Sequence, residues 1–421
     1  MLADIICIGN ELLTGLVENS NTGFISRRLW SLGIPVRESS TVADDRIAIR
    51  AALERAREKS DLIIITGGLG PTEDDLTRES VAEILELPLI ENQKWLKRLE
   101  TFFNDRGLKM PANNRKQALY IKGSTILENK YGTAPGMVIK KEGIITILLP
   151  GPPHELQYMF DHGVLPVLNS SNREGELTRV KTLKVFGLGE SVLEEKIKEL
   201  GKWKLPGISY VAKGYEVDLQ IKGSGDSDTA GDSIEEAERL LRGLLGDYIF
   251  GSDDDTLAGI VARRLVEHKM TLSVIESCSG GLLSDIITDI PGSSEFFLGG
   301  IVAYSRSAKQ NLAGIKPEIL EIEGEVSEAT AKLMADGSRR LFRTDFGIGI
   351  TGIAGPDSDS SGKPVGLVYI AVSSRKDCQC TQLKFTGGRR AVKERASQVA
   401  LNILKNTIND TVKPENRSIK N

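Results

Sequence analysis

A serine lies between an apolar stretch and a glycine pair in the C-terminal third of this 421-residue chain. Ser277 follows residues 271–275, which are typical of a buried strand, and Gly280 and Gly281 lead into residues 282–287, which are typical of a helix. A strand, a tight turn and a helix in this order lift a hydroxyl clear of a sheet and direct helix N–H groups at an anion. The pattern predicts a small-molecule site, and an enzymatic one.

Two further loops of the same third suit that site. Thr351 and the glycine-rich residues 352–355 follow another apolar strand, and Arg389 precedes the last predicted helix. A forked cation beside a helix N-terminus is suited to a phosphate group. The three histidines lie outside these loops, at positions 154, 162 and 268, which argues against a Ser-His-Asp arrangement.

A second group of loops lies in the N-terminal third. Residues 67–77 (GGLGPTEDDLT) follow an apolar strand and combine glycines with the carboxylates of Asp74 and Asp75. Glycines let backbone N–H groups approach a phosphate, and carboxylates can hold a cation against it. Glu155 directly follows another strand end and is a further candidate cation ligand. The alternative is that the two aspartates only cap the next helix.

Composition limits the class of protein. The formal net charge is −4, with 40% hydrophobic and 27% charged residues, which argues against bulk binding to nucleic acid or to an anionic membrane. Neither a signal peptide nor a membrane-spanning segment is visible, so we expect a cytoplasmic protein. The four cysteines do not form a disulfide framework. Cys378 and Cys380 lack histidine partners, and we expect them on opposite faces of a strand rather than at a zinc ion.

The pattern of elements predicts three regions that position these loops. Residues 1–169 alternate strands and helices, which indicates a mostly parallel sheet with helices on both faces. The pattern predicts a small α+β module at residues 170–250, with a polar loop at 223–233. It predicts another α/β domain at residues 251–413, followed by a polar tail at 414–421. The predicted fold class is therefore α/β, with two three-layer αβα domains joined by a small α+β domain. Ligands in such sheets lie at the carboxyl ends of strands.

Five N-terminal motifs resemble the first domain of the CinA family: residues 9–15, 67–77, 111–118, 132–136 and 150–155. That domain is similar to the MoaB/MogA molybdopterin-binding fold. The resemblance implies an ADP-ribose pyrophosphatase that depends on a divalent metal (Mg, Mn or Co) and on K⁺. Asn10 departs from the threonine that is common in the family. The implied metal ligands are Asp74, Asp75 and Glu155, and the implied substrate-binding residues are Gly67, Gly68, Gly70, Thr72 and Lys116.

Four C-terminal motifs resemble the last domain of the same family: residues 276–281, 304–309, 351–356 and 385–389. The resemblance implies deamidation of nicotinamide mononucleotide to nicotinate mononucleotide and ammonia, without a cofactor. Ser277 would be the nucleophile and Lys309 the general base, which must be uncharged to act. Tyr304 would orient the lysine or stack on the pyridine ring. The implied substrate-binding residues are Ser279, Gly280, Thr351, Gly352, Gly355 and Arg389, with Arg389 on the 5′-phosphate.

Cys278 is the rival nucleophile, but in an extended segment it would point away from Ser277 and into the core. The middle region resembles the KH-like domain of the family, yet residues 187–190 (GLGE) lack the G-x-x-G spacing of a nucleic-acid clamp. We therefore expect a spacer or dimerisation element, a homodimer, and small nucleotides as partners in pyridine nucleotide salvage. The alternatives are a molybdopterin-binding N-terminal domain, or an interaction protein of competence or recombination without enzymatic activity.

Overall fold

The computed structural model describes residues 1–171, 177–201, 207–225, 227–358 and 362–412. The chain divides into two compact units, one of Met1–Lys181 with Lys222–Glu236 and one of Thr182–Ile221 with Ala237–Asn421. The predicted polar tail lies outside the described residues. Within the described part of the chain, no helix is both long and apolar enough to cross a membrane.

Within residues 1–171, the first unit contains eight strands, of which six form one large sheet and two form a separate small sheet. The strands are β1 (Ala3–Ile8), β2 (Val36–Val42), β3 (Leu62–Thr66), β4 (Leu89–Glu91), β5 (Leu119–Ile121), β6 (Thr125–Leu127), β7 (Gly136–Lys141) and β8 (Ile144–Leu149). The helices are α1 (Asn10–Leu13), α2 (Ser20–Ser31), α3 (Arg46–Arg57), α4 (Thr77–Ile84), α5 (Gln93–Asn104), α6 (Pro153–Met159) and α7 (Leu165–Ser171), with a 3₁₀ helix at Ala112–Ala118 and a π-helical turn at Phe160–Val164.

The order of the large sheet is β2-β1-β3-β8-β7-β6. Strands β2, β1, β3 and β8 pair in parallel. At one edge, β7 pairs antiparallel with β8, and β6 pairs antiparallel with β7. Strands β1 and β3 are buried along their whole length, as expected for apolar strands covered by helices on both faces. The parallel strands end together, so the loops that follow β1, β3 and β8 share one edge of the sheet.

The middle region contains β9 (Leu177–Phe186), α8 (Glu190–Lys198), β10 (Gly207–Lys213), β11 (Glu216–Gly225), α9 (Ser227–Leu245) and β12 (Ile249–Ser252). Its four strands form a sheet in the order β10-β11-β9-β12. The predicted polar loop at 223–233 is wrong, because β11 extends to Gly225 and α9 already begins at Ser227. Serine and aspartate are favoured at helix N-termini, so a polar composition there does not exclude a helix.

The C-terminal region contains a five-stranded sheet. Its helices are α10 (Leu257–Glu267), α11 (Leu282–Thr288), α12 (Arg306–Ala313), α13 (Pro317–Ile322), α14 (Glu328–Phe342) and α15 (Arg389–Val412). Its strands are β13 (Leu272–Glu276), β14 (Phe297–Val302), β15 (Phe346–Gly352), β16 (Leu367–Ser373) and β17 (Cys378–Lys384), in the order β14-β13-β15-β16-β17. Strands β14, β13 and β15 pair in parallel. Strand β16 pairs antiparallel with β15, and β17 pairs antiparallel with β16.

Helix α14 packs directly on this sheet. A Cβ atom at Gly347 or Gly349 of β15 would lie 2.2 Å from a backbone oxygen of the helix, so these glycines permit the close approach. Cys378 and Cys380 both pack against Ala331 and Ala335 of this helix and Ala371 of β16. The expectation that they lie on opposite faces is wrong, because residues two apart on a strand share a face. Burial raises the pKa of Cys378 to about 11 and that of Cys380 to about 12.

Candidate active site

The turn that carries Ser277 is fixed by the buried carboxylate of Glu276. This carboxylate accepts hydrogen bonds from the N–H groups of Gly281 (3.1 Å), Leu283 (3.1 Å) and Ser284 (2.8 Å) and from the Ser284 hydroxyl (2.6 Å). An anion at the start of α11 satisfies N–H groups that have no partner within the helix. The result is a rigid turn directly after the nucleophile candidate.

Two glycines give the turn its shape. Gly280 has φ +63° and Gly281 has φ +91°, which is left-handed backbone that other residues adopt only with strain. The Ser277 N–H donates to the Ile350 carbonyl at 2.9 Å, which ties the serine to the neighbouring strand β15. The N–H groups of Gly280 to Ser284 are all used within the turn, and those of Cys278 and Ser279 interact with the Cys278 sulfur.

Lys309 lies on α12 and is 2% exposed. Its Nζ donates to the Tyr304 carbonyl at 3.1 Å and to Glu325 Oε2 at 3.2 Å. Within the described residues, no hydrogen bond joins Lys309 Nζ to the Ser277 hydroxyl. The two side chains nevertheless line the same cavity, so a bound substrate would meet both.

That cavity has a volume of about 560 Å³. Its wall brings together most of the residues that the C-terminal motifs predicted, namely Ser277, Tyr304, Lys309, Thr351, Gly352, Gly355 and Arg389. Ser279 and Gly280 are not part of the wall. Ser279 is fully buried, and its hydroxyl has no hydrogen-bond partner in the described part of the chain.

Arg389, at the start of α15, connects two loops of the cavity. Its guanidinium donates to the Gly355 carbonyl at 2.7 Å and to the Tyr304 hydroxyl at 2.8 Å. Tyr304 thus holds Lys309 through its backbone oxygen and Arg389 through its ring hydroxyl. Its side chain is exposed at the cavity, so it remains accessible to a ligand.

Glu325 is a residue of the site that the motifs did not reveal. It lies in the loop before α14, where no strand end or glycine pair marks a site. The Thr351 hydroxyl donates to its backbone carbonyl at 2.7 Å, so the predicted ligand-binding threonine also anchors this loop. The Ile353 N–H, another candidate donor, is already used by the Leu367 carbonyl at 2.8 Å.

Cys278 does not have the properties of a nucleophile. It is 4% exposed and packs in the main core of the domain, which confirms the expected inward orientation. Burial raises the pKa of its thiol to about 12. A thiol in this state supplies almost no thiolate at neutral pH.

In the N-terminal unit, the loop after β3 borders a second cavity of about 370 Å³. Its lining includes Gly67, Gly68, Gly70, Thr72, Asp74, Asp75 and Glu155, whereas Lys116 lies outside it. The Asp75 carboxylate accepts hydrogen bonds from the N–H groups of Gly70 (2.8 Å) and Thr72 (2.8 Å) and from the Thr72 hydroxyl. Asp75 therefore holds the loop closed, as a capping residue would.

Two neighbouring groups also serve the loop itself. Lys116 Nζ donates to the carbonyls of Thr72 (3.1 Å) and Asp75 (2.5 Å) and pairs with Glu79 at 3.5 Å. At Gly67, with φ +97°, a Cβ atom would lie 2.1 Å from the Ile8 carbonyl oxygen. The conformation of the loop alone thus accounts for this glycine and this lysine.

Two further carboxylates line this cavity: Glu11, which lies in the motif of residues 9–15 but was given no role there, and Asp44, which lies outside all the motifs. Burial raises the pKa of Asp44, and the negative charges of Glu11, Asp74 and Asp75 raise it further, against a hydrogen bond from the Asn10 N–H. Across the described residues, no three carboxylate, histidine or cysteine side chains converge closely enough to hold a metal ion. Carboxylate oxygens suit a hard divalent cation, but phosphate oxygens of a substrate would have to complete its coordination.

Comparison with known proteins shows which family the chain resembles. Residues 254–408 match the model of the CinA C-terminal domain, residues 4–170 that of a "probable molybdopterin binding domain" and residues 180–251 that of the damage-inducible protein CinA KH domain. The chain is 44% identical to a protein of Caldicellulosiruptor saccharolyticus, over 97% of this chain and 99% of the relative. It is 42% identical to a protein of Moorella thermoacetica, over 96% of this chain and 98% of the relative. Both relatives are named as competence-damage inducible.

Among solved structures, a CinA superfamily protein of Klebsiella pneumoniae is 32% identical over 37% of this chain and 96% of its own, with a TM-score of 0.36. The full-length relatives decide the assignment, since each aligns along almost all of both chains. The chain belongs to the CinA family.

Proposed function

We propose that this member of the CinA family hydrolyses the amide of nicotinamide mononucleotide at the C-terminal cavity. The observation that carries the proposal is that Ser277, Lys309, Tyr304, Thr351 and Arg389 line one cavity of about 560 Å³. A serine and a lysine at one cavity fit acyl transfer without histidine. The volume lies within the range of small-ligand sites.

In the proposed reaction, Lys309 in its amine form takes the proton of Ser277, whose Oγ attacks the amide carbon. Lys309 returns the proton to the leaving ammonia, and water then hydrolyses the Ser277 ester to nicotinate mononucleotide. Arg389 and the N-terminus of α15 would bind the 5′-phosphate.

The test is ammonia release from nicotinamide mononucleotide by the full chain and by Ser277→Ala. We expect Ser277→Ala to lower kcat by at least about 10³-fold, as loss of a serine nucleophile does elsewhere. Ser294→Ala, at an exposed serine outside the cavity, is the matched control. Equal release by Ser277→Ala would remove the nucleophile assignment. No release by the unmodified chain would favour an interaction protein of competence or recombination.

A second activity is proposed for the N-terminal cavity, namely hydrolysis of ADP-ribose to AMP and ribose 5-phosphate with a divalent metal and K⁺. The glycine-rich loop and the carboxylates on one cavity wall support it. A divalent cation there would neutralise pyrophosphate charge, held by Asp74 or a neighbouring carboxylate of the wall and by phosphate oxygens of the substrate. The rival occupant of this cavity is a molybdopterin.

For this activity, AMP formation is measured with Mg²⁺, Mn²⁺ or Co²⁺, with and without K⁺. Asp74→Asn tests a carboxylate that is exposed at the cavity, and Asp105→Asn, at an exposed position after α5, is its control. We expect metal-dependent AMP formation that Asp74→Asn lowers by at least about tenfold. Binding of a molybdopterin without AMP formation would favour the rival.

A further inference from the structure

One contact of the C-terminal cavity is not explained by the proposed reaction. A general base must be an amine, yet Lys309 Nζ lies 3.2 Å from a carboxylate oxygen of Glu325. A neighbouring anion favours the ammonium form of a lysine. The contact therefore opposes the proposed chemistry as long as it lasts.

The Glu325 carboxylate can leave this contact while its backbone stays in place. The backbone of Glu325 is anchored by the Thr351 hydroxyl, whereas its side chain is 41% exposed and lines the cavity. Only Oε2 is engaged, by Lys309; in the described structure, Oε1 has no hydrogen-bond partner. A fixed backbone with a half-exposed carboxylate allows a ligand to share or take over the charge without moving the loop.

The cavity wall carries charges of both signs, namely Arg306, Lys309 and Arg389 and the carboxylates of Glu321, Glu325 and Asp357. Arg389 is held by the Gly355 carbonyl and the Tyr304 hydroxyl, whereas Glu325 is held by Lys309, which bonds to the Tyr304 backbone oxygen. Tyr304 thus separates a cationic group from a carboxylate. Such a cavity is complementary to a ligand that carries an anion at one end and a cation at the other.

We propose that Glu325 determines specificity by pairing with the positively charged pyridinium ring of the substrate, so that the cavity selects a cationic ring over a neutral one. This rests on the proposed amidase function, whose substrate carries a cationic ring and a phosphate. As the carboxylate turns to the ring, it releases Lys309. Lys309 is then free to act on the Ser277 hydroxyl as the base of the proposed reaction.

The test compares two ligands that differ in ring charge. Nicotinamide mononucleotide has a pyridinium ring, and its reduced form has a neutral dihydropyridine with the same amide, ribose and phosphate. Dissociation constants are measured by calorimetry in the Ser277→Ala background, so that neither ligand is turned over. The variants are Glu325→Gln, Glu325→Asp and, as a matched control, Glu321→Gln, which also removes an exposed cavity carboxylate.

We expect Glu325→Gln to weaken binding of the oxidised nucleotide about tenfold, as for loss of a partly desolvated ion pair, and that of the reduced nucleotide less than twofold. Glu325→Asp should restore part of the difference, and Glu321→Gln should leave the ratio unchanged. Equal weakening for both ligands would show a structural role only, and an unchanged ratio would also overturn the inference. Because binding is measured, the result is independent of whether the unmodified chain releases ammonia.

Discussion

Replacing Glu276 by glutamine tests the idea that one buried carboxylate shapes the nucleophile turn. Glu276 is fully buried and accepts four hydrogen bonds, two on each carboxylate oxygen. Glutamine retains one acceptor oxygen, which can keep the N–H and hydroxyl of Ser284. Its amide NH₂ group would then face the N–H groups of Gly281 and Leu283, which lose their acceptor.

Two buried donors without acceptors cost about 1–3 kcal/mol each. Part of this cost is offset because glutamine does not require burial of a charge. We therefore expect α11 and the turn before it to lose about 2–4 kcal/mol of local stability, with the rest of the chain unaffected. In hydrogen exchange, 1.4 kcal/mol corresponds to a factor of ten, so amides of α11 should lose about 30-fold to 1,000-fold protection.

The assay is hydrogen exchange measured by mass spectrometry on the full chain, combined with ammonia release. Glu318→Gln changes an exposed glutamate in the first turn of α13 and is the control. Activity should fall with protection in Glu276→Gln, because Ser277 directly follows the changed residue. Unchanged protection of residues 281–288 would refute the reasoning, since it would mean that the charge contributes nothing that an amide cannot replace.

Three further predictions concern buried ionisable groups. Cys278→Ala should keep ammonia release within about threefold, because burial raises the pKa of this thiol to about 12; abolished release would reinstate the thiol as nucleophile. Arg78, which is 1% exposed, donates to the carbonyls of Leu69 (2.8 Å) and Lys116 (2.7 Å), so Arg78→Met should cost about 2 kcal/mol in urea unfolding of the N-terminal unit by leaving the Leu69 carbonyl unpaired and the Lys116 carbonyl with only the Leu119 N–H. Asp44→Asn should raise the melting temperature at pH 7, because burial raises the pKa of the folded carboxyl and its ionised form destabilises the fold; the gain should disappear below about pH 3.9, where the carboxyl is protonated in both states, and a gain independent of pH would contradict this cause.

The strand ends of the C-terminal site could be predicted from the sequence because their signals are local. An apolar run that stops at a small-residue turn marks where a strand leaves the sheet, and β13 and β15 both end this way. The register then places Glu276 beside Val302 on one neighbour and Ile350 on the other. Ser277 directly after β13 and Thr351 near the end of β15 therefore lie at the same edge of the sheet.

Long-range contacts were not predictable in the same way. Glu325 and Asp44 reach their cavities from loops without glycine pairs, and nothing in their local sequence distinguishes them from other exposed acids. Conversely, Lys116 and Asp75 have the residue types of a phosphate and metal site, yet in the structure they hold the loop of residues 67–77 together. Residue type indicates which chemistry is available, but only the partners show whether a charge is free to use.

The same distinction separates the two sites as candidates for catalysis. In the N-terminal cavity, Asp75 is used by three donors of its own loop, so a ligand would compete with the fold for that charge. In the C-terminal cavity, Ser277 keeps a hydroxyl without a competing hydrogen bond among the described residues, and Lys309 is held by only one carboxylate. A cationic ligand can take over that one carboxylate, which leaves Lys309 with its hydrogen bond to the Tyr304 carbonyl. The serine–lysine pair therefore requires less rearrangement to become active than the acidic cavity does.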